Sequence, residues 1–370
     1  MAQWRSILRV IIKALVLFAL CNGIFVMMYP AEWIGNFSLY GMLYPYRLRL
    51  PYGENPAQSY NISATNLPAL FASHEIRRKK SDNEFRVVLI GDSNTWGWLL
   101  DNDETLSAQL NTLDILVDSQ DAEFYNLGYP IMSLTKDLLI LDGAMHYQPD
   151  MIIWLVSLAS FPPEQQFEPP LVQDNWHRLY DLNDVIFLER YADAEERFAS
   201  TLWERTIIGQ RRSLADLLRL QSYGVAWTAT SIDQTIPEII QPRQSDFDND
   251  LSWANYSEPV TLSTDDLAFD VLARGIERTD DIPVIIINEP MFISDGQNSD
   301  VRYNSFYPRW AYDQYRTLLS QVAEDNGWQV YDLWDTIDPN EFTDSPVHLS
   351  ANGTHDFAQI IQDEIFDIGE

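Results

Sequence analysis

The chain holds a single cysteine, Cys21, in 370 residues. An intramolecular disulfide is therefore excluded, and so is a zinc or iron–sulfur centre built on several thiolates. Cationic side chains are scarce as well: 24 Lys and Arg stand against 55 Asp and Glu, a formal net charge of −31. Phosphate backbones reward clustered cations, so a chain this acidic is a poor general partner for nucleic acid. There is no glycine-rich dinucleotide fingerprint and no internal repeat, which argues against a nicotinamide- or flavin-binding βαβ unit and against a solenoid. What is present suits a folded body. Apolar residues make up 46% of the chain and charged residues 21%, enough for a sizeable core in one large domain or two small ones.

The few cations are concentrated at one end. Residues 1–80 hold nine Lys and Arg and three Glu, so nearly all of the negative charge lies beyond them. From Ile7 to Tyr29 the chain reads as one apolar run, uncharged from Ala14 onward. A bilayer core takes roughly 20 apolar residues in a helix, and Arg9 and Lys13 can snorkel from its first turns. Arg5, Arg9 and Lys13 on the leading flank predict an N-terminus in the cytoplasm and a body outside it, held by a single span. A cleaved signal peptide and a buried core helix are the alternatives. No small-x-small site follows the apolar run, and Leu20 before Cys21 fits lipoprotein processing poorly. The expected organisation is an anchor over 1–30, a connector over 31–84 rich in turn signals, and a body over 85–370. The basic run Arg77–Lys80 in the connector reads as a solvated helix end or as a patch for anionic headgroups.

The body alternates short apolar runs with helical stretches. Strands are expected at 85–90, 123–127, 151–158, 282–288 and 328–333, with helices at 106–113, 134–146, 266–277, 310–325 and 350–366. Continuous apolar strands alternating with helices imply an α/β fold with a parallel sheet covered on both faces. Ligands of such sheets bind beyond the carboxyl ends of the strands. A long insertion over 160–264 interrupts the pattern, with helices expected at 192–206 and 211–220, and insertions at that edge often build a lid. Asp246, Asp248 and Asp250 open like a calcium loop, but Leu251 stands where the turn glycine belongs, and a solvated acidic loop is the simpler reading. No metal and no cofactor is expected.

Three motifs fall at the carboxyl ends of strands. The first strand runs into Gly91-Asp92-Ser93-Asn94-Thr95-Trp96-Gly97. A serine on a tight strand-to-helix turn can stand exposed above the sheet with its own N–H beside a bound oxyanion. A simple helix cap at Asp92 or Ser93 is the plainer alternative. The second strand ends in Asn126-Leu127-Gly128, where a glycine allows close approach of the backbone to a ligand. Before the last helix comes Asp344-Ser345-Pro346-Val347-His348, an acid and a histidine on one loop, able to supply a general base and its orienter. Of the five histidines, His348 alone is expected on a loop at this edge.

In these blocks, their order and their spacing, the chain resembles the GDSL/SGNH hydrolase superfamily over about residues 85–366, outside the insertion. The resemblance implies a flavodoxin-like three-layer α/β/α sandwich. It implies Ser93 as nucleophile, His348 as base and Asp344 as its partner, with the Ser93 and Gly128 amides as oxyanion donors. Two departures stand out. The family's third block carries an Asn after the third strand, where Ala159 or Ser160 falls here, leaving Ser157, Ser160 or Asn288 as substitutes. The family's acid and histidine are separated by two residues, here by three. Gly128, Asn94 and Asn288 are thus the candidate oxyanion- or substrate-binding groups. The segment 288–310, with Arg302, Tyr303, Arg309 and Trp310, offers further substrate contacts or a purely structural loop.

The implied function is a serine esterase or O-acyltransferase. It would be anchored in a membrane and act outside it on acyl esters of envelope glycans, lipids or small molecules. Two other readings stay open. One is a catalytically weak or silent glycan-binding protein on the same fold, motivated by the missing Asn. The other is a scaffold that uses the acidic insertion as an interface.

Overall fold

In a computed structural model, which describes residues 2–28, 30–53, 55–181 and 200–366, the apolar runs of the body become neighbouring strands of one sheet. They are β1 (Glu84–Ile90), β3 (Gln120–Asn126), β4 (Met151–Val156), β5 (Val284–Asn288) and β6 (Gln329–Asp332). A two-residue strand, β2 (Leu116–Val117), completes the order β2-β3-β1-β4-β5-β6. Register runs straight through the middle: Leu89 lies opposite Asn126 on one side and Ile153 on the other, and Ile153 lies opposite Ile285. The five long strands are mutually parallel, but β2 pairs antiparallel with β3. The sheet is therefore mixed, which corrects the expectation of a wholly parallel one. The cause is a tight hairpin at Asp118-Ser119, where both residues take positive φ (49° and 70°) and turn the chain back on itself.

Alternation along each strand sends side chains to two cores. Val88, Ile90, Ile152, Trp154 and Ile286 face one layer of helices. That layer includes α2 (Leu67–Ser73), α5 (Leu134–Met145), α7 (Arg211–Thr230), α8 (Phe269–Arg278) and α9 (Arg309–Asn326). Val87, Leu89, Ile153, Leu155, Ile285 and Ile287 face the other, built by α4 (Leu106–Asn111) and α10 (Ala351–Ile361). Helix α3 (Ser93–Trp96) sits at the end of β1, and α6 (Pro170–Asp181) follows β4. The chain turns to opposite sides of β1 to reach β3 and β4. The carboxyl end of β1 is thus the switch point where an open α/β sheet leaves a crevice.

Ahead of the body, α1 (Ala2–Met28) is the one helix among the described residues long and apolar enough to cross a membrane by length and composition. Residues 31–84, expected as a connector, pack onto the body. Leu50, Ile62, Leu67, Leu70, Phe71 and Ile76 join the first core, and Arg47, Arg49 and His74 are buried with them. The basic run is engaged there too, Arg78 with Glu75 and Lys80 with Asp150. Of the helix expected at 192–206, residues 192–199 lie outside the described residues, and 200–206 form turns instead.

His74 shows how completely this segment is enclosed. Its Nδ1 accepts the Ile76 N–H (3.1 Å), and its Nε2–H donates to the Leu48 carbonyl (3.1 Å). Both ring nitrogens are satisfied only by the neutral ring. Burial holds its pKa down to about 4 against an ordinary 6.5. Between those values the unfolded chain binds the proton and the folded one does not, so this group's contribution to stability falls as pH is lowered from 6.5 towards 4. The contribution is roughly 3 kcal/mol across the window. Burial pushes Glu75 up to about 7 and Asp137 up to about 6, and these groups contribute in the opposite sense. The readout is therefore the wild-type urea midpoint minus that of His74→Gln, plotted against pH, a difference that should shrink as pH is lowered from 6.5 towards 4. A difference independent of pH would contradict this.

Candidate functional site

Gly91 ends β1 because nothing larger fits. A Cβ there would lie 2.2 Å from Thr95 Oγ1 and 3.3 Å from Leu155 Cβ. The chain then turns directly into α3. The Asp92 carboxylate caps that helix by accepting the Asn94 N–H at 2.9 Å. Gly97, at φ +89°, closes the helix after one turn. Ser93 is thereby the first residue of a one-turn helix perched on the sheet edge, where backbone N–H groups have no intrahelical acceptor.

The histidine arrives from the far end of the chain. Residues 342–349 close on themselves through a bridge between Phe342 and Leu349 and a bond from Thr343 N–H to the His348 carbonyl (2.8 Å). The Pro346 carbonyl accepts the Phe292 N–H at 2.7 Å, which holds the loop to the segment after β5. This closure absorbs the additional residue between acid and histidine. His348 Nδ1 lies 2.8 Å from Asp344 Oδ1, and His348 Nε2 lies 2.8 Å from Ser93 Oγ. With the carboxylate accepting at Nδ1–H, the other ring nitrogen is free to accept the serine hydroxyl proton. Burial alone would raise the Asp344 pKa. The hydrogen bond and charge of His348 outweigh it and hold the carboxyl below its usual range. The Trp98 ring leans on the imidazole at 5.9 Å, and Tyr52 packs edge-on against Trp98.

The other expected binding groups are placed differently. The Gly128 N–H donates to Asn126 Oδ1 at 3.0 Å, and a Cβ at Gly128 would lie 2.4 Å from Trp96 N. The glycine's evident use is to let the end of β3 pack closely against α3. Asn94 donates its side-chain amide to Glu289 Oε2 at 3.1 Å, beneath the helix. Asn288 donates to Asp332 (2.7 Å) and Tyr312 (3.2 Å) and is fully buried. Both side-chain amides are engaged with these internal partners. Ser157 accepts the Tyr307 hydroxyl (3.1 Å), and the Ala159 N–H also reaches that hydroxyl. Arg302 spends its guanidinium on the carbonyls of Asp250, Ser252, Asn304 and Ser305. Arg309 holds Ser299, Trp310 holds Leu251, and Tyr303 donates to Asp313. These four side chains fasten loops.

Two features of this region escaped the sequence. Glu289 is buried directly under Ser93's helix. Burial and then the nearby Asp92 charge push its pKa well above its ordinary value, against the hydrogen bond from Asn94. The second is an extended strap over 231–262. Gln234 bonds the Gly97 and Leu100 carbonyls and accepts the Leu99 N–H, beside α3. Arg243 N–H donates to the Thr343 carbonyl, and its guanidinium takes the Phe342 and Pro339 carbonyls while stacking on Phe292. Asp246 accepts the Gln297 N–H further on. The insertion thus stitches the serine's loop to the histidine's loop. Residues 235–242 lie between those two pins, with Ile236 and Ile239 exposed among them.

No protein-family model matches the chain, and no curated protein does. Solved structures do show likeness. A member of the lipolytic G-D-S-L family from Veillonella parvula is 12% identical at a TM-score of 0.36, covering 76% of this chain and 98% of its own. A carbohydrate acetylesterase family member from Sinorhizobium meliloti is 11% identical at 0.34, covering 76% and 96%. A lipase/acylhydrolase from Enterococcus faecalis is 12% identical at 0.37, covering 76% and 95%. The likeness is loose at these scores.

Proposed function

We propose that this chain is a serine esterase or O-acyltransferase of the GDSL/SGNH type, with Ser93 as nucleophile, His348 as general base and Asp344 as its orienting partner. In this reading residues 85–370 form a flavodoxin-like three-layer hydrolase domain with an insertion over 160–264. Residues 31–84 lead to it from the anchor, and α1 crosses the membrane once with the body outside the cytoplasm. The observation that supports the chemistry is the unbroken line of two 2.8 Å contacts from Asp344 through His348 to Ser93. A serine hydroxyl is a weak nucleophile until a base takes its proton in the attack. Nε2 accepts that proton, and the ionised Asp344 carboxylate stabilises the imidazolium that forms. The Ser93 N–H is the oxyanion donor this reading assigns. The imidazolium then protonates the departing alcohol. Water or an acceptor hydroxyl, deprotonated by the same nitrogen, attacks the acyl carbon, and the imidazolium returns that proton to Ser93 Oγ as the acyl group leaves. The exposed Ile236 and Ile239, on the stretch pinned between the two loops, offer apolar surface to an acyl chain.

A weak or silent glycan-binding protein is the second reading, and the commitment of the Gly128 and Asn288 amides to internal partners favours it. Turnover of an activated acetyl ester separates the two. On the first reading the wild-type chain turns it over slowly, and Ala159→Asn, at the carboxyl end of β4 beside β1, raises kcat about tenfold with KM little changed, because the amide meets charge that develops in the transition state. No turnover by either protein would favour the binder.

A further inference from the structure

We infer that the protein has a second membrane contact besides its anchor: an apolar platform built from the insertion, α7 and the first turns after α1, seated in the headgroup and upper acyl region of the same leaflet. The inference rests on the reading of α1 as a span. Its starting point is Asn22, a polar side chain inside that apolar helix. Asn22 Nδ2–H donates to the Phe18 carbonyl four residues back, and Oδ1 accepts the N–H of Ile207 at 3.0 Å. An amide in hydrocarbon must find partners within the protein. Here the insertion supplies one, and Asn22 is buried by it while its neighbours Cys21, Gly23 and Ile24 stay exposed.

Depth follows from length. Asn22 precedes the end of α1 at Met28 by six residues, about 9 Å along the axis. A hydrocarbon core about 30 Å thick takes roughly 20 residues, and Arg9 and Lys13 push its lower edge towards the middle of α1. Its upper edge then lies near the end of the helix, above Asn22. Whatever is hydrogen-bonded to Asn22 therefore reaches past that edge into the upper acyl region of the leaflet. Next to Ile207 stand Leu202 and Trp203, 75% and 62% exposed. Those values are unfavourable in water and natural at a lipid interface, where tryptophan concentrates.

The rest of the platform lies on the segment that follows α1 and on α7. Beyond α1, Trp33, Phe37, Met42 and Leu43 are all exposed. Their turn is fixed to α7: Leu39 N–H donates to Gln221 Oε1 (2.7 Å), and the Tyr40 hydroxyl donates to the Leu220 carbonyl (3.0 Å). On a helix the residues three before and four after Gln221 share its face. They are Leu218 and Val225, both exposed. The local charge suits a lipid surface too. Residues 200–230 carry Arg205, Arg211, Arg212 and Arg219 against Glu204 and Asp216, a cationic stretch in a chain of net −31.

The test uses the full chain in vesicles of phosphatidylcholine and phosphatidylglycerol, with and without doxyl-labelled lipid. On a Cys21→Ser background, single cysteines Trp203→Cys, Leu218→Cys and, as a distant control, Asp356→Cys on the exposed side of α10 carry an environment-sensitive fluorophore. The expected result is a blue-shifted emission at 203 and 218 with severalfold greater quenching by doxyl lipid than at 356. If the protein sediments with the vesicles but 203 and 218 quench no more than 356, the platform is overturned and the anchor stands. If the protein does not sediment with vesicles at all, the anchor reading fails and the platform with it.

Discussion

Ser93→Ala and His348→Ala are each expected to lower acyl-ester turnover by roughly 10³-fold or more while leaving the fold intact. The size follows from how the groups act. The hydroxyl makes the acyl-enzyme bond, and the imidazole moves the proton at each step, so removing either one removes the covalent route rather than weakening it. The fold should survive because neither side chain fastens core elements. Ser93's hydroxyl is bonded to His348 Nε2, and the His348 ring to Asp344 and Ser93. The double variant should be little slower than either single one, since members of such a unit are strongly non-additive. Asp344→Asn should cost less uniformly, because it leaves the hydroxyl and the ring in place and disturbs the tautomer. Turnover measured on one activated ester, with circular dichroism as the control for folding, decides it. Unchanged turnover in Ser93→Ala would remove the nucleophile assignment.

The largest expected effect on stability lies elsewhere, at Asp233. Its carboxylate accepts Arg47 Nη1–H (2.9 Å), Arg49 Nε–H (3.4 Å) and Trp227 Nε1–H (2.9 Å), and both ion pairs are almost wholly out of water. Arg47 and Arg49 come from the segment after the anchor, and Asp233 begins the strap. Arg49 also donates to the carbonyls of Gly97 and Leu100, just past Ser93's helix. One carboxylate therefore joins the anchor-proximal segment, the insertion and the serine's loop. Asp233→Ala leaves two guanidinium groups buried without an anion, and losing one partner of a buried pair costs about 3–5 kcal/mol. The urea midpoint should fall accordingly. Asp233→Asn, which keeps hydrogen-bond acceptance for the arginines without the charge, should fall less. Equal midpoints for Asp233→Ala and wild type would show that water reaches the arginines.

The contrast between these two sites explains what could be read from the sequence. Strands such as Phe85–Ile90 and Met151–Val156 declare themselves because strands buried on both faces are continuous apolar runs bounded by turn residues. β2 does not, because two residues carry no period and only the positive-φ turn at Asp118-Ser119 creates it. The Ser93 and His348 blocks were legible because short-range backbone features, a glycine-bounded turn and a loop before a helix, set their positions. The close approach of His348 to Ser93 spans 255 residues and comes from the sheet order together with the long-range contacts that hold the 342–349 loop.

The packing of residues 31–84 was hidden for the opposite reason. Its anchoring groups are arginines and a histidine, which hydropathy assigns to solvent, and their partner Asp233 lies far along the chain. Glu289 was missed in the same way, since an acid just after a strand reads as exposed until Asn94 and Asp92 are seen to close over it. Gly128 was legible as a close approach, and in the structure α3 is the body packed against it.

The central claim is that the Ser93 hydroxyl is activated by His348. The most direct measurement is labelling of the purified full-length protein with a fluorophosphonate, which reacts with an activated serine hydroxyl and leaves a stable phosphonyl adduct. The account predicts one adduct, located by peptide mass spectrometry on Ser93, and its loss in both Ser93→Ala and His348→Ala. An unlabelled wild-type protein, or an adduct that persists when His348 is replaced, would contradict it.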